Sequence, residues 1–186
     1  MTNRDESLKH DLMEALERSD VSSRDIRAER IIWLSGHQVS YGAVVGRTET
    51  LALLEEARTC FVAQHDIAAL MLALAFIEHT LAATLRSAGL GRLSNVPKGL
   101  ESARVARLFP ADILARTGKL QAFRNPFAHL RDDDDEATLA NRYFSQKRHP
   151  KSVMEDDAKE AMQLMYAFFR CDIERPGRAS EWGDSR

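Results

Sequence analysis

Apolar positions recur at intervals of three and four residues along nearly the whole chain. Alternation is confined to "QVSYGAVV", residues 38–45, which Gly42 and Gly46 restrict to a loop or short excursion. The pattern predicts an all-α fold. A first amphipathic helix is expected from Asp5 to Leu16. A second is expected from Ser23 to Leu34, with Ser23 as N-cap and Ile26, Ile31 and Leu34 on one face. These form an N-terminal extension over residues 1–47, ahead of a bundle over 48–174 and a disordered tail over 175–186.

Within the bundle, a helix opens near Thr48 through "LALLEEARTCFVAQ". The next, His65 to Gly89, is apolar on nearly all sides over its first half, the mark of a central helix, and Gly89 and Gly91 stop it. A helix from Pro97 to Leu108 follows, with Asn95 or Val96 near its cap. Pro110 then opens "PADILARTGKLQAFRN", with Ile113, Leu120 and Phe123 at core-compatible spacing. A polar stretch of about twenty residues, Leu130 to Pro150, is longer than a typical helix connection. The last helix, Lys151 to Ile173, carries Met154, Ala158, Ala161, Met165 and Phe168 as an apolar stripe.

With 186 residues, one domain is the expectation, and 44% hydrophobic with 29% charged residues excludes wholesale disorder. A formal net charge of −2 leaves no basic excess for polyanions, so RNA would need a local patch. Lys147 and Arg148, in "SQKRHPK" with His149 and Lys151, offer one; Arg104 and Arg107 are further candidates. Cys60 and Cys171 lie in apolar helical stretches and are expected to be buried thiols in a reducing compartment, a bridge between them being the minority reading. The first residues hold no apolar leader segment, and the longest apolar run, Ile67 to Ile77, is short of a bilayer span. The expectation is a cytoplasmic protein without membrane attachment. No glycine-rich phosphate loop, Cys/His zinc spacing or serine elbow occurs, so neither cofactor nor metal is expected.

The stretch "AFRNPFAHLRDDDD", residues 122–135, raises the chemical question. On a straight helix Arg124 and His129 would stand about 140° apart. Pro126 disfavours helix at the residue before it, so the helix is expected to end at Asn125, which would cap a new helix opened by Pro126. Arg124 and His129 would then flank free backbone N–H groups at a helix N-terminus, an anion site. A guanidinium can grip a phosphate, and a histidine can move a proton near neutrality. Together they are the minimum equipment for breaking an RNA phosphodiester without metal: a base for the 2′-hydroxyl and a cation for charge gathering on phosphorus. One histidine cannot readily be both acid and base in one step, so a second copy from a dimer partner would help.

"FRNPFAH" resembles the signature of the HEPN superfamily, an arginine commonly followed by asparagine and then a histidine a few residues on. Its setting is similar too: a preceding helix ending in "KLQAFRN", and an earlier buried helix "ALAFIEHTLAATL" with Glu78 in its middle. The resemblance covers Leu51 to Phe169. It implies a helical bundle that dimerises with its motifs face to face. It also implies a metal-independent endoribonuclease of toxin–antitoxin, phage-defence or RNA-processing type, with an antitoxin or other protein as partner. Arg124 and His129 would be the catalytic pair, Asn125 a positioning residue and Glu78 a supporting acid. Other members are catalytically silent and act as dimerisation or binding modules for a nucleotide or partner protein.

Each feature also has a plainer reading. Arg124 and His129 could be a helix-end ion pair and a capping histidine. A carboxylate within an apolar helix must have a partner, so Glu78 is expected either in a structural ion pair or against the motif arginine. His79 reads as a core or boundary residue. Trp33 reads as packed, whereas Trp182 lies in the tail. The acidic run Asp132–Glu136 reads as a solvated loop rather than a metal site, and it sets negative charge beside the expected phosphate site.

Overall fold

The computed structural model describes residues 3–37 and 47–174. Among these the chain is all-α, with seven helices and no strand. The stretch expected as a loop excursion, 38–45, and the tail expected from 175 lie outside the described residues. The chain divides into two compact units, Met1–Gly36 and His37–Arg186.

The first unit is one helix, α1 (Asn3–Ser35), where two were expected. Ser23 does not cap. Ser22 Oγ donates to the Ser19 carbonyl at 2.8 Å and Ser23 Oγ to that of Asp20 at 3.3 Å, a back-bonding mode that a helix interior accommodates. Neither glycine nor proline interrupts residues 3–35, and Glu14 takes both His10 and Arg18 at 3.4 Å one turn away on either side. The continuous ladder therefore wins over the local turn preference of the serines.

The second unit is a bundle built around α3 (Asp66–Ser87), which packs against α2 (Thr48–Val62), α4 (Val96–Val105), α5 (Ala111–Ala128) and α7 (Pro150–Ile173). Leu70, Leu74, Phe76, Ile77 and Leu81 of α3 are buried on several sides of its axis, as its apolar first half predicts. Each such side chain contributes about 1.5–3 kcal/mol by leaving water. At 22 residues α3 is long and apolar enough to cross a bilayer, so the argument from the short run Ile67–Ile77 understates it; its surroundings here are four other helices. Phe109 meets Phe168 at 4.5 Å between ring centroids, and Phe76 meets Phe169 edge-on at 6.1 Å, closing the core against α7.

Helix ends follow local chemistry. After α3, Gly89 takes a positive φ of 73° while the Leu90 N–H reaches the Leu85 carbonyl at 2.9 Å, satisfying a carbonyl the helix would orphan. Asn95 caps α4, accepting from the Lys98 N–H at 2.9 Å. A Cβ at Gly99 would displace the end of the Leu93 side chain and crowd Leu81 and Leu85 of α3 at 3.2 and 3.4 Å, so glycine lets α4 sit close on α3. Arg116 of α5 grips both oxygens of Glu160 on α7, at 2.7 and 2.8 Å, and reaches Gln163 at 3.2 Å.

One expectation fails in the polar stretch after α5 and another at the two cysteines. Residues 139–146 form a further helix, α6 (Leu139–Gln146), capped by Thr138 accepting from the Asn141 N–H at 3.3 Å. Cys60 and Cys171 form no disulfide and are half-buried rather than fully buried.

Candidate functional site

The buried stripe of α5 runs Leu114, Thr117, Gln121, at helical spacing, and Arg124 continues it one turn on. That register aims Arg124 at α3, where Glu78 sits between buried Leu74 and Leu81. Arg124 Nη2 donates to Glu78 Oε1 at 2.9 Å, and Gln121 Nε2 donates to the same oxygen at 2.5 Å. The carboxylate has the partner its burial demands, and the partner is the motif arginine. The pair is not sealed: the Arg124 side chain is 19% exposed and that of Glu78 26%. Arg124 binds Glu78 through one terminal nitrogen, and its Nε is buried with no hydrogen-bond partner, as is that of Arg142.

The helix does not break at Asn125. Helix α5 runs through Pro126 to Ala128, and His129 is its C-cap, with extended backbone at φ −142° and ψ 139° and its N–H on the Asn125 carbonyl at 2.9 Å. The φ that proline fixes is itself helical, and the hydrogen bond it forfeits would go to Ala122, an exposed residue whose carbonyl water can serve. Asn125 is thus half-buried within the last turn rather than an N-cap. The anion site expected from free N–H groups is absent at this junction. The motif sits at the carbonyl end of α5, whose partial charge is negative. Arg124 faces inward, and His129 leaves the helix exposed at the surface.

The acidic run is an ordered turn. Asp133 and Asp135 turn their carbonyls onto Asn141 Nδ2 at 2.7 and 2.9 Å, and Asp135 Oδ1 accepts from the Ala137 N–H at 2.9 Å. Asp132, Asp133 and Asp134 are exposed. Among the described residues no three His, Cys, Asp or Glu side chains converge as a metal would need.

Beside the motif lies a pair that the sequence reasoning missed. Arg142 of α6 gives both terminal nitrogens to Asp157 of α7, at 2.6 Å each, with both side chains below 8% exposure. Its guanidinium lies 3.7 Å from the ring centre of Phe123, the residue before Arg124. Thr138 ahead of "LANRYF" was the available signal for α6, since a threonine at that place is a helix start.

Of the remaining candidates, Lys147 ends α6 in the left-handed region at φ 53° and is exposed. Arg148 is engaged by Asp156 at 2.6 Å, which lowers its availability for RNA. Arg104 is held by Glu101 at 2.6 Å, which also raises the guanidinium's already high pKa. His79 is at the surface, 3.5 Å from Thr50 Oγ1, and Trp33 is half-buried. Compared with protein-family models, with curated proteins and with solved structures, the chain matches none.

Proposed function

We propose that the chain is a metal-independent endoribonuclease of HEPN type, acting in the cytoplasm as a homodimer in a toxin, defence or RNA-processing role. The observation that carries the reading is the Arg124–Glu78 pair: an arginine of the RN-x3-H motif, joined to the mid-helix glutamate by one hydrogen bond, still partly exposed, with an exposed histidine five positions on.

In this reading His129 takes the proton of the 2′-hydroxyl as the 2′-oxygen attacks phosphorus. Arg124 stabilises the charge gathering on the phosphoryl oxygens. The 5′-oxygen leaves, taking a proton from the second copy's histidine, and the products end in a 2′,3′-cyclic phosphate and a 5′-hydroxyl. Glu78 and Gln121 hold the guanidinium's orientation, and Asn125 ties the last turn to the His129 N–H through its carbonyl. Neither a metal nor a cofactor is required by these steps.

A second reading, a non-catalytic module that binds a nucleotide or partner protein, is favoured by one arrangement: the motif lies at the carbonyl end of α5, next to exposed Asp132–Asp134. The two separate in a gel assay of RNA in EDTA. Wild type cleaves, while Arg124→Ala and His129→Ala each lose on the order of 10²-fold or more in rate. Equal activity in all three, or none in any, favours the module.

A further inference from the structure

We infer that the outer face of α6 is a stacking platform for single-stranded RNA, with Phe144 and Tyr143 taking unpaired bases and Lys147 and Lys151 taking the flanking phosphates. The proposal rests on the ribonuclease reading for its choice of RNA, and it adds the substrate class: unpaired rather than duplex strands.

Phe144 is 72% exposed and Tyr143 39% on an eight-residue helix that could have buried either. Their rings meet edge-on at 5.0 Å and 61°, which leaves ring faces open. From Arg142, which points into the protein, Tyr143 lies about 100° and Phe144 about 200° around the axis, so Phe144 stands opposite the anchor and Tyr143 on its flank. That anchor is firm. The bidentate grip on Asp157 and the stack on Phe123 fix α6 to α7 and α5, and the second of these contacts is made next door to Arg124. A platform immobilised against the residue beside the motif loses little entropy on binding.

Charge selects the occupant. From Ala137 to Met154 the chain carries no Asp or Glu, yet it holds Arg142, Lys147, Arg148, His149 and Lys151. Arg142 and Arg148 are committed to Asp157 and Asp156, and His149 Nδ1 accepts from the Lys151 N–H as cap of α7. Lys147 and Lys151 remain exposed for phosphate. Exposed aromatic faces followed by exposed lysines suit a single strand, because every base has a π-face and every linkage a charge. A duplex keeps its bases stacked on one another.

The test is fluorescence anisotropy of a labelled 2′-O-methyl oligonucleotide, which this enzyme chemistry cannot cut, with the full chain at two salt concentrations. Expected are binding by wild type, about tenfold weakening by Phe144→Ala, and retention by Phe144→Trp. Lys147→Ala lowers the salt slope by about 0.7, and a duplex of the same sequence binds more weakly than the single strand. Circular dichroism and light scattering confirm that the variants keep fold and mass. The proposal is overturned if Phe144→Ala binds like wild type, if duplex binds as tightly, if no oligonucleotide binds, or if Phe144→Ala changes the oligomeric mass, which would make the face a protein contact. Because the probe resists cleavage, a protein that binds it through Phe144 yet leaves unmodified RNA intact loses the ribonuclease reading and keeps the platform.

Discussion

Two of the arginine–carboxylate pairs that join helices in this bundle are built differently. Arg142 spends both terminal nitrogens on Asp157, at 2.6 Å each, with almost no exposed surface on either side chain. Arg124 gives Glu78 one bond at 2.9 Å from a single terminal nitrogen and retains some exposure, while Nε is buried and unpartnered in both arginines. The first commits both terminal nitrogens out of reach of solvent and holds α6 to α7. The second holds its orientation through one terminal nitrogen and stays partly open to solvent, as a group must that is to meet a phosphate. Within one bundle, residue type and pairing are the same, and hydrogen-bond stoichiometry and exposure separate a lock from a candidate site.

Breaking the lock should have the largest effect. Asp157→Ala strands a buried guanidinium and should cost about 3–5 kcal/mol in denaturant unfolding. Glu78→Gln, at a half-exposed pair, should cost only about 1 kcal/mol while strongly reducing RNA cleavage. If Glu78→Gln destabilises as much as Asp157→Ala and spares activity, both pairs are structural and the contrast collapses.

Next comes the helix end that orients the second pair. With α5 continuous through Pro126, Asn125→Ala in the last turn should leave stability unchanged or raise it by about 0.5 kcal/mol, whereas loss of an N-cap would cost about 1 kcal/mol. The sign of the change in unfolding free energy decides between the two geometries.

The helical class, the centrality of α3 and the cap at Asn95 were legible because they depend on periodicity and on single local hydrogen bonds. So was the demand of Glu78 for a partner, since a carboxylate among Leu74 and Leu81 cannot stand alone. The course of the chain at Pro126 was not. Local preference there favours a break, but Arg124 bound to Glu78 on one side and the His129 N–H on the Asn125 carbonyl on the other hold the last turn. Helix α6 was hidden for a related reason: only Arg142 of its residues is buried, and its partners Asp157 and Phe123 lie 15 positions later and in another helix. Ser23 misled in the same way, since a side chain that caps one helix can bond back within another.

A smaller effect sharpens the picture of α2. Burial first, and the Glu56 carboxylate second, push the Cys60 thiol up from its ordinary value. A raised folded pKa means stability is fully present below the unfolded thiol's pKa and declines as pH rises through the folded one. Wild type should therefore lose slightly more stability than Cys60→Ala between about pH 8 and pH 10. Parallel pH profiles of the urea midpoint would show that the thiol is freely solvated.

The central claim is that Arg124 and His129 cut RNA without metal, and the chemistry of the product ends tests it most directly. Mass spectrometry of a defined RNA incubated in EDTA should find 2′,3′-cyclic phosphate and 5′-hydroxyl termini with wild type and neither with Arg124→Ala or His129→Ala. Intact RNA with wild type, or the same termini from all three proteins, would contradict it.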